Sequence, residues 1–399
     1  MMLVNFSAKH FDMEFDIVLI GGGLVGASLA AALKDSGLKL ALVESGSSPQ
    51  IPDAPDNWDS RIYAFTPGNA KFLHECGAWQ RLEMRRVQQV EEMRVFGDTG
   101  ARLNFSAYQL GAPELAFIME SRLLQDALWQ VLRDQANLTL LQPAQCAELS
   151  WHEEAAYLRL KDGRELKAKL IVGADGRDSW VRRQAGMPET PTPYQQHGVV
   201  ANFECVKNHR GIAHQWFQPD GILALLPLPG RRVSIVWSVS PEKSAELLAL
   251  THAELCVRVA EASNHVLGEL ELITPPAAFP LRVLNLAHIT RPRLALIGDA
   301  AHNVHPLAGQ GVNLGLRDAR ELAHTLLQHG TMDCGNLALL RRYEKARRAD
   351  ILSMQLTTDA LKHLFVNANP LLRTLRNVGL AATNAVTPLK KMLARHALT

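Results

Sequence analysis

Residues 15–44, FDIVLIGGGLVGASLAAALKDSGLKLALVE, decide the fold. The apolar run from Phe15 to Ile20 is followed by a glycine cluster, by small residues from Leu24 to Ser36 and by a second apolar run from Leu38 to Val43. That order predicts strand, turn, helix and strand, the βαβ unit of a parallel sheet. Within it Gly21-Gly22-Gly23-Leu24-Val25-Gly26 fits G-x-G-x-x-G, and Glu44 closes the second strand 18 residues after Gly26. The glycines permit the tight turn, the approach of a pyrophosphate to bare backbone and close packing of helix on strand. Glu44 can accept a hydrogen bond from a ribose hydroxyl. The motif therefore predicts a dinucleotide site, without deciding between NAD and FAD.

The decision comes from residues 298–315, GDAAHNVHPLAGQGVNLG, which follow an apolar strand at Arg293 to Ile297, about 270 residues further on. Asp299, at a strand end, can bond ribityl hydroxyls. The glycine loop ahead of a helix expected over Val312 to His329 can direct amides and the positive helix end at the electron-rich edge of a flavin. A second contact so far along the chain implies an extended cofactor, and FAD has that length. A third stretch, Gly173-Ala174-Asp175-Gly176, ends an apolar strand at Ala168 to Val172 and runs into Arg177, Asp178, Ser179 and Arg182. An acid-glycine turn there reads equally as a plain β-turn.

Between Tyr194 and Val239 the pattern changes to long β segments (198–205, 213–228 and 231–240) separated by Gly and Pro turns. These predict an antiparallel sheet inserted into the dinucleotide fold. Helices are expected at Pro67 to Gly77, Ser121 to Asp134 and from Leu339 onward, and a hairpin across Lys161-Asp162-Gly163. The fold class is α/β: a Rossmann-like FAD-binding domain (15–75, 100–190 and 280–350), an inserted substrate domain that is mainly β-sheet (76–99 and 191–279), and a helical C-terminal region (351–399).

In this order, and over nearly the whole chain, the motifs resemble the para-hydroxybenzoate-hydroxylase-like flavin monooxygenases. GDAAHNVHPLAGQGVNLGLRDA (298–319), DSRIYAF (59–65), LIVGADGRDSWVR (170–182) and PDGILALLPL (219–228) resemble the ubiquinone-biosynthesis hydroxylases among them. The resemblance implies that Gly21, Gly23 and Gly26 hold the pyrophosphate and Glu44 the adenosine ribose, and that Arg61 and Arg122 lie against the phosphate and ribityl region. It implies that Asp175 and Gly176 contact the FAD pyrophosphate and NAD(P)H, and that Asp299 binds the ribityl chain. Gly309, Gln310, Gly311, Val312 and Asn313 would cradle the isoalloxazine ring, with Pro306 on its substrate side. The implied reaction uses NAD(P)H to reduce the flavin and O₂ to hydroxylate an electron-rich, polyprenylated phenol, and the activated oxygen must be kept from water. Phe217, Leu225 and Trp237 are candidate walls for that pocket, each equally readable as sheet core. No residue stands out as a general base. A flavin reductase or dehydrogenase on the same fold, and a non-catalytic FAD-binding partner of a biosynthetic complex, are the competing readings.

Composition narrows the rest. With 42 basic against 40 acidic residues and a net charge of +2, no global field recruits nucleic acid. The five cysteines lie more than fifty residues apart with no C-x-x-C pair, which predicts a reducing compartment. No run approaches about 18 apolar residues and the N-terminus lacks a signal peptide's apolar stretch, so a cytoplasmic protein is expected. His302 and His305 lack the further ligands that would complete a metal site. The basic run Arg341 to Arg348 reads as a solvated helix face. From Leu371 onward, Leu and Val alternate with Arg373, Arg376, Lys390, Lys391 and Arg395. That tail reads as a helix packed on the FAD domain, or as a peripheral contact to membrane or to other ubiquinone-biosynthesis proteins.

Overall fold

The computed structural model describes residues 13–47, 57–97, 102–187, 192–284, 286–303, 310–328, 330 and 332–366. Strand β1 (Met13–Ile20), helix α1 (Leu24–Ala32) and strand β2 (Leu40–Val43) form the expected first unit. β1 is central: it runs parallel to β2 on one side, with Ile20 opposite Val43, and to the strand Glu165–Gly173 on the other, with Ile20 opposite Gly173. Leu138–Leu141 extends the sheet beyond β2, and Leu294–Leu296 extends it beyond Glu165–Gly173. Ile17, Val18, Leu19 and Leu40 to Leu42 have no exposed surface, because a parallel sheet is covered on both faces. α1 packs against the helices Ser121–Arg133 and Gln310–Leu327. It ends at Ala32 rather than Ser36. There the Ser36 hydroxyl donates to the Leu33 carbonyl at 2.7 Å and accepts the Leu38 amide at 3.2 Å, and Gly37 turns left-handed at φ +74°.

Strand order reverses at β1: β2 and Leu138–Leu141 lie to one side, and the later Glu165–Gly173, Leu294–Leu296 and Thr290–Arg291 to the other. Open α/β sheets bind ligands outside the strands' carboxyl ends at such a reversal. Ile20, Val43, Gly173 and Leu296 all end there. Topology thus brings three fingerprints, far apart in sequence, to one edge.

The inserted sheet runs in the order Leu270–Leu272, Thr192–Cys205, Arg232–Val239, Gly221–Leu228, Ile212–Gln218, Glu92–Phe96 and Arg102–Ser106; it is antiparallel as expected except where Ile212–Gln218 runs parallel to Glu92–Phe96, strands far apart in sequence. The last strand therefore lies with this sheet rather than with the dinucleotide layer to which residues 100–190 were assigned, because it pairs with Glu92–Phe96 as a local hairpin. Two helices, Pro241–Ala249 and His252–Ala262, lie on one face of the sheet. These helices were not among those expected, though each starts on a local cap: the Ser240 hydroxyl accepts the Lys243 amide ahead of Pro241, and Thr251 with Glu254 forms a capping box. Val199, Phe203, Leu225, Ile235 and Trp237 pack against Leu247, Leu255 and Val259 on that face. The opposite face presents Ala213, Leu226 and Val236 to Trp58, Ile62 and Ile118, at a small sheet made of Ile62–Phe65, Ala116–Glu120 and Gln88–Val90.

His214 shares the helix-covered face, being paired with Leu225. Its ring lies 5.6 Å from that of Trp216 and 6.3 Å from that of Phe96, and neither ring nitrogen has a hydrogen-bond partner. Burial drives its pKa down from 6.5 to about 4. A folded-state pKa below the unfolded one means that stability is full above pH 6.5 and is lost as pH falls toward 4, by about 3 kcal/mol across that window. His214→Phe removes two unsatisfied nitrogens, and should raise stability at neutral pH by about 1–3 kcal/mol and flatten the acid-side loss. Urea melts at pH 7 and pH 5 measure both effects; an unchanged difference between the two pH values refutes the assignment.

Candidate active site

The first turn is tight on two sides and open on the third. A Cβ on Gly21, whose φ is +108°, would stand 2.4 Å from the Ala174 carbonyl oxygen, and one on Gly26 would stand 2.1 Å from the Gly21 oxygen. Nothing lies within 4 Å of a Cβ on Gly23, which begins α1 with no side chain capping it. Uncapped amides and free space at a helix start suit a diphosphate. The loop is held from behind: Trp129 Nε1 donates to the Gly22 carbonyl at 2.9 Å, and the Gly22 amide donates to Glu44 Oε2 at 2.6 Å. Glu44 Oε1 also accepts the Gly46 amide at 2.7 Å. A carboxylate has about four acceptor sites, so Glu44 keeps capacity for a ribose hydroxyl while it shapes the turn. Trp129 was missed, since in sequence it is one apolar residue of an amphipathic helix.

At the third fingerprint, Asp175 accepts from the Ser179 hydroxyl at 2.5 Å and from the Val181 amide at 3.0 Å. Its carboxylate thus serves the turn and the short helix Trp180–Gln184. The turn also offers backbone, at Gly176 with φ +82° and open space in front. The neighbouring Arg182 is fully buried and straps two motifs together, donating to the Arg177 carbonyl and to the Ala300 carbonyl, each at 2.9 Å.

Asp299 follows Leu294–Leu296 in a turn whose other residues, Gly298, Ala300, Ala301 and His302, are buried, while Asp299 itself is exposed. Protein nonetheless crowds around it and pushes its pKa up, opposed by His302 and Arg177. A carboxyl that is crowded yet open to solvent lies on a concave surface. Tyr63 is close enough that Asp299 adds to the upward shift that burial gives its hydroxyl, with Arg61 and Arg177 opposing. These four side chains share one electrostatic neighbourhood.

Arg61 is 70% exposed and free to meet an anion, 3.9 Å from Asp59. Arg122 is anchored instead: with Arg86 it grips the buried Glu120, at 2.9 and 2.7 Å, and it also donates to Asn57 Oδ1 at 3.1 Å. Its expected role against the cofactor is therefore limited by a structural one. Asn313 is likewise occupied. Its amide nitrogen donates to the Ala64 carbonyl at 2.6 Å, and its oxygen accepts from the Thr66 amide at 3.0 Å and from Asn69 at 2.8 Å. The side chain clamps the Gln310 helix to the Ile62–Phe65 strand, which leaves Gly311 and Val312, partly exposed, as the elements of that loop open to a ligand. Pro306 and Gly309 lie outside the described residues, as does the side chain of Gln310.

Of the candidate pocket walls, Phe217 lies on the sheet face that meets the small sheet, packed with Val95, Leu103 and Ile222. Leu225 and Trp237 point the other way, into the core under the two helices. Alternation along a strand is the reason: residues paired across the strands share a face, and Leu225 pairs with Ile235 while Trp237 pairs with Leu223.

Comparison with known proteins agrees with this geometry. A family model described as an FAD binding domain matches residues 14–356. The chain is 34% identical over 388 residues to the 3-demethoxyubiquinol 3-hydroxylase of Escherichia coli (strain K12), covering 96% of this chain and 98% of that protein. It is 35% identical over 390 residues to the ubiquinone hydroxylase UbiL of Rhodospirillum rubrum, covering 97% and 90%. The solved p-nitrophenol 4-monooxygenase PnpA of Pseudomonas putida DLL-E4 superposes with a TM-score of 0.79 at 18% identity, covering 97% of this chain and 99% of that one, a likeness of fold.

Proposed function

Because the chain belongs to the FAD-dependent hydroxylases of ubiquinone biosynthesis, we propose that it hydroxylates the ring of a polyprenylated phenol. It is an aromatic hydroxylase that takes electrons from NAD(P)H and oxygen from O₂. The observation that carries the site assignment is that Gly23 with its uncapped helix, Glu44 and Asp299 all follow carboxyl ends of parallel strands on one edge of one sheet.

Bound FAD supplies hydride acceptance and oxygen activation. The chain's own residues bind and orient. The amides at the start of α1 hold the diphosphate, with Glu44 on the adenosine ribose and Asp299 on the ribityl hydroxyls. Gly311 and Val312 present backbone to the flavin ring, and Arg61 and Gly176 offer an exposed cation and bare backbone where NAD(P)H phosphate can dock. The ring of the substrate rests against the sheet face that carries Gln215, Ala224 and Val236, a row in register across three strands, in place of Leu225 and Trp237. A mostly apolar wall there excludes water from the reacting oxygen.

No helix among the described residues is long and apolar enough to cross a membrane. A prenyl tail is too apolar to arrive as a free solute at useful concentration, so the substrate is met at a membrane surface or from a partner protein. The basic residues Arg373, Arg376, Lys390, Lys391 and Arg395, outside the described residues, are the proposed contact. The test is oxygen uptake by the purified holoprotein with NADH or NADPH. Uptake that rises on adding a prenylated phenol and yields hydroxylated product is expected, and NAD(P)H oxidation that is indifferent to every phenol overturns the reading. A chain ending before Leu371 should lose turnover of long-tailed substrate while keeping that of a short-chain analogue.

A further inference from the structure

One carboxylate oxygen holds both ends of the turn that carries Asp299. Asp318, on the Gln310 helix and fully buried, accepts the Gly298 amide at 2.9 Å and His302 Nε2 at 2.6 Å, both on Oδ2. His302 must donate through Nε2–H, because a carboxylate only accepts. The other oxygen of Asp318 accepts Arg347 Nε at 2.7 Å. Arg347 continues to Asp350 at 2.6 Å, and Asp350 holds Arg317 at 2.9 and 3.1 Å. Between the two ends Arg182 takes the Ala300 carbonyl, and just before the turn Tyr343 donates to the Leu296 carbonyl at 3.0 Å. Asp299 is the residue of the turn that these bonds leave exposed.

A network of buried charges is a poor source of stability in itself, since apolar residues of similar volume often serve as well. What it does supply is geometry. Removing His302 Nε2–H leaves that end of the turn to its backbone bonds, the Ala301 and His302 amides on the Gly298 carbonyl at 2.9 and 3.0 Å, so the chain keeps its path while the side-chain brace that fixes the direction of Asp299 is lost. We propose that His302 is a positioning residue which, through Asp318, sets the angle at which Asp299 meets the ribityl chain of FAD. Its influence on flavin affinity then runs through Asp299. The proposal rests on the reading of Asp299 as the ribityl contact.

A double-mutant cycle separates the two. Purified holoproteins are serially diluted, released FAD is read by its fluorescence, and urea melts confirm folding. Asp299→Ala should weaken FAD binding about 10- to 150-fold, as expected for losing a hydrogen bond to a charged group. His302→Phe should weaken it about tenfold, and the double variant should bind within about twofold of Asp299→Ala alone, the margin within which independent effects are told apart. His302→Gln, which keeps an N–H within reach of Asp318, should recover most of the affinity. If the single effects multiply in the double variant, or if His302→Phe binds FAD like the parent, the proposal is overturned while the assignment of Asp299 stands. If Asp299→Ala binds FAD unchanged, the ribityl assignment itself fails, and the proposal with it. Should His302→Phe not fold, His302→Asn, too short to reach Asp318, replaces it in the same cycle. Failure of both to fold assigns His302 to the core and overturns the proposal.

Discussion

Replacing Gly23 with valine leaves a folded protein that no longer retains FAD. Gly23 has φ −68° and ψ −176°, extended backbone that valine adopts readily, and a Cβ there meets nothing within 4 Å. The apoprotein should therefore lose no more than about 1 kcal/mol, the usual difference between glycine and a β-branched residue at a helix start. The free space is where the diphosphate must come close to the amides of α1. A branched side chain holds the phosphate oxygens away, and losing two charge-assisted hydrogen bonds at about 1.5–3 kcal/mol each lowers affinity by roughly a hundred- to ten-thousand-fold. Flavin absorbance of the purified variant and its urea midpoint are the two readouts. A yellow Gly23→Val protein with the parent's flavin content would place the diphosphate elsewhere.

Gly26→Ala should do the reverse and damage the fold first. Its Cβ would stand 2.1 Å from the Gly21 carbonyl oxygen and 3.0 Å from the Ala174 Cβ, and the first of these atoms is backbone that cannot swing aside. α1 must lift from the sheet, against its packing on the Ser121 and Gln310 helices. A cost of about 2–4 kcal/mol is expected, in the upper range for overpacking a core. The urea midpoint should fall with little change in slope. A midpoint equal to the parent's would show that the helix slides away without penalty. Two glycines of one motif, three residues apart, thus have separate duties: one keeps space for a ligand, the other lets helix and strand touch.

The parts of the fold that were legible in sequence are those where a local pattern carries a local consequence. The strand before Gly21, the acid at the end of β2 and the Gly298-Asp299 turn each announce themselves within a dozen residues. Residues that act across the chain do not. Trp129 reaches Gly22 from over a hundred positions away, and Asp318 governs a turn on another element. Arg347 sits in a run whose Arg342, Lys345 and Arg348 are exposed as expected, while it alone among these four turns inward to meet Asp318. Leu225 and Trp237 were misplaced for a related reason. Both faces of the large sheet are apolar, so the alternation shows that faces exist without showing which one the helices cover. The acid-glycine pair did not show that the Asp175 carboxylate also holds Ser179 and Val181.

The central place of β1 also dictates an order of assembly. It leaves the ribosome before the other strands of its sheet, yet the backbone groups along one of its edges find their partners in residues 166–173, and the layer beyond them closes only at Leu294–Leu296. At about 5–20 residues per second, synthesis needs roughly 14–55 s to run from Ile20 to Leu296. Throughout that interval Ile17, Val18 and Leu19, which end with no exposed surface, have only an incomplete sheet to join. The stretch that identifies the fold most clearly is therefore among the last to be completed in it, and the nascent chain must keep this apolar strand from pairing with a neighbour until the second half of the protein arrives.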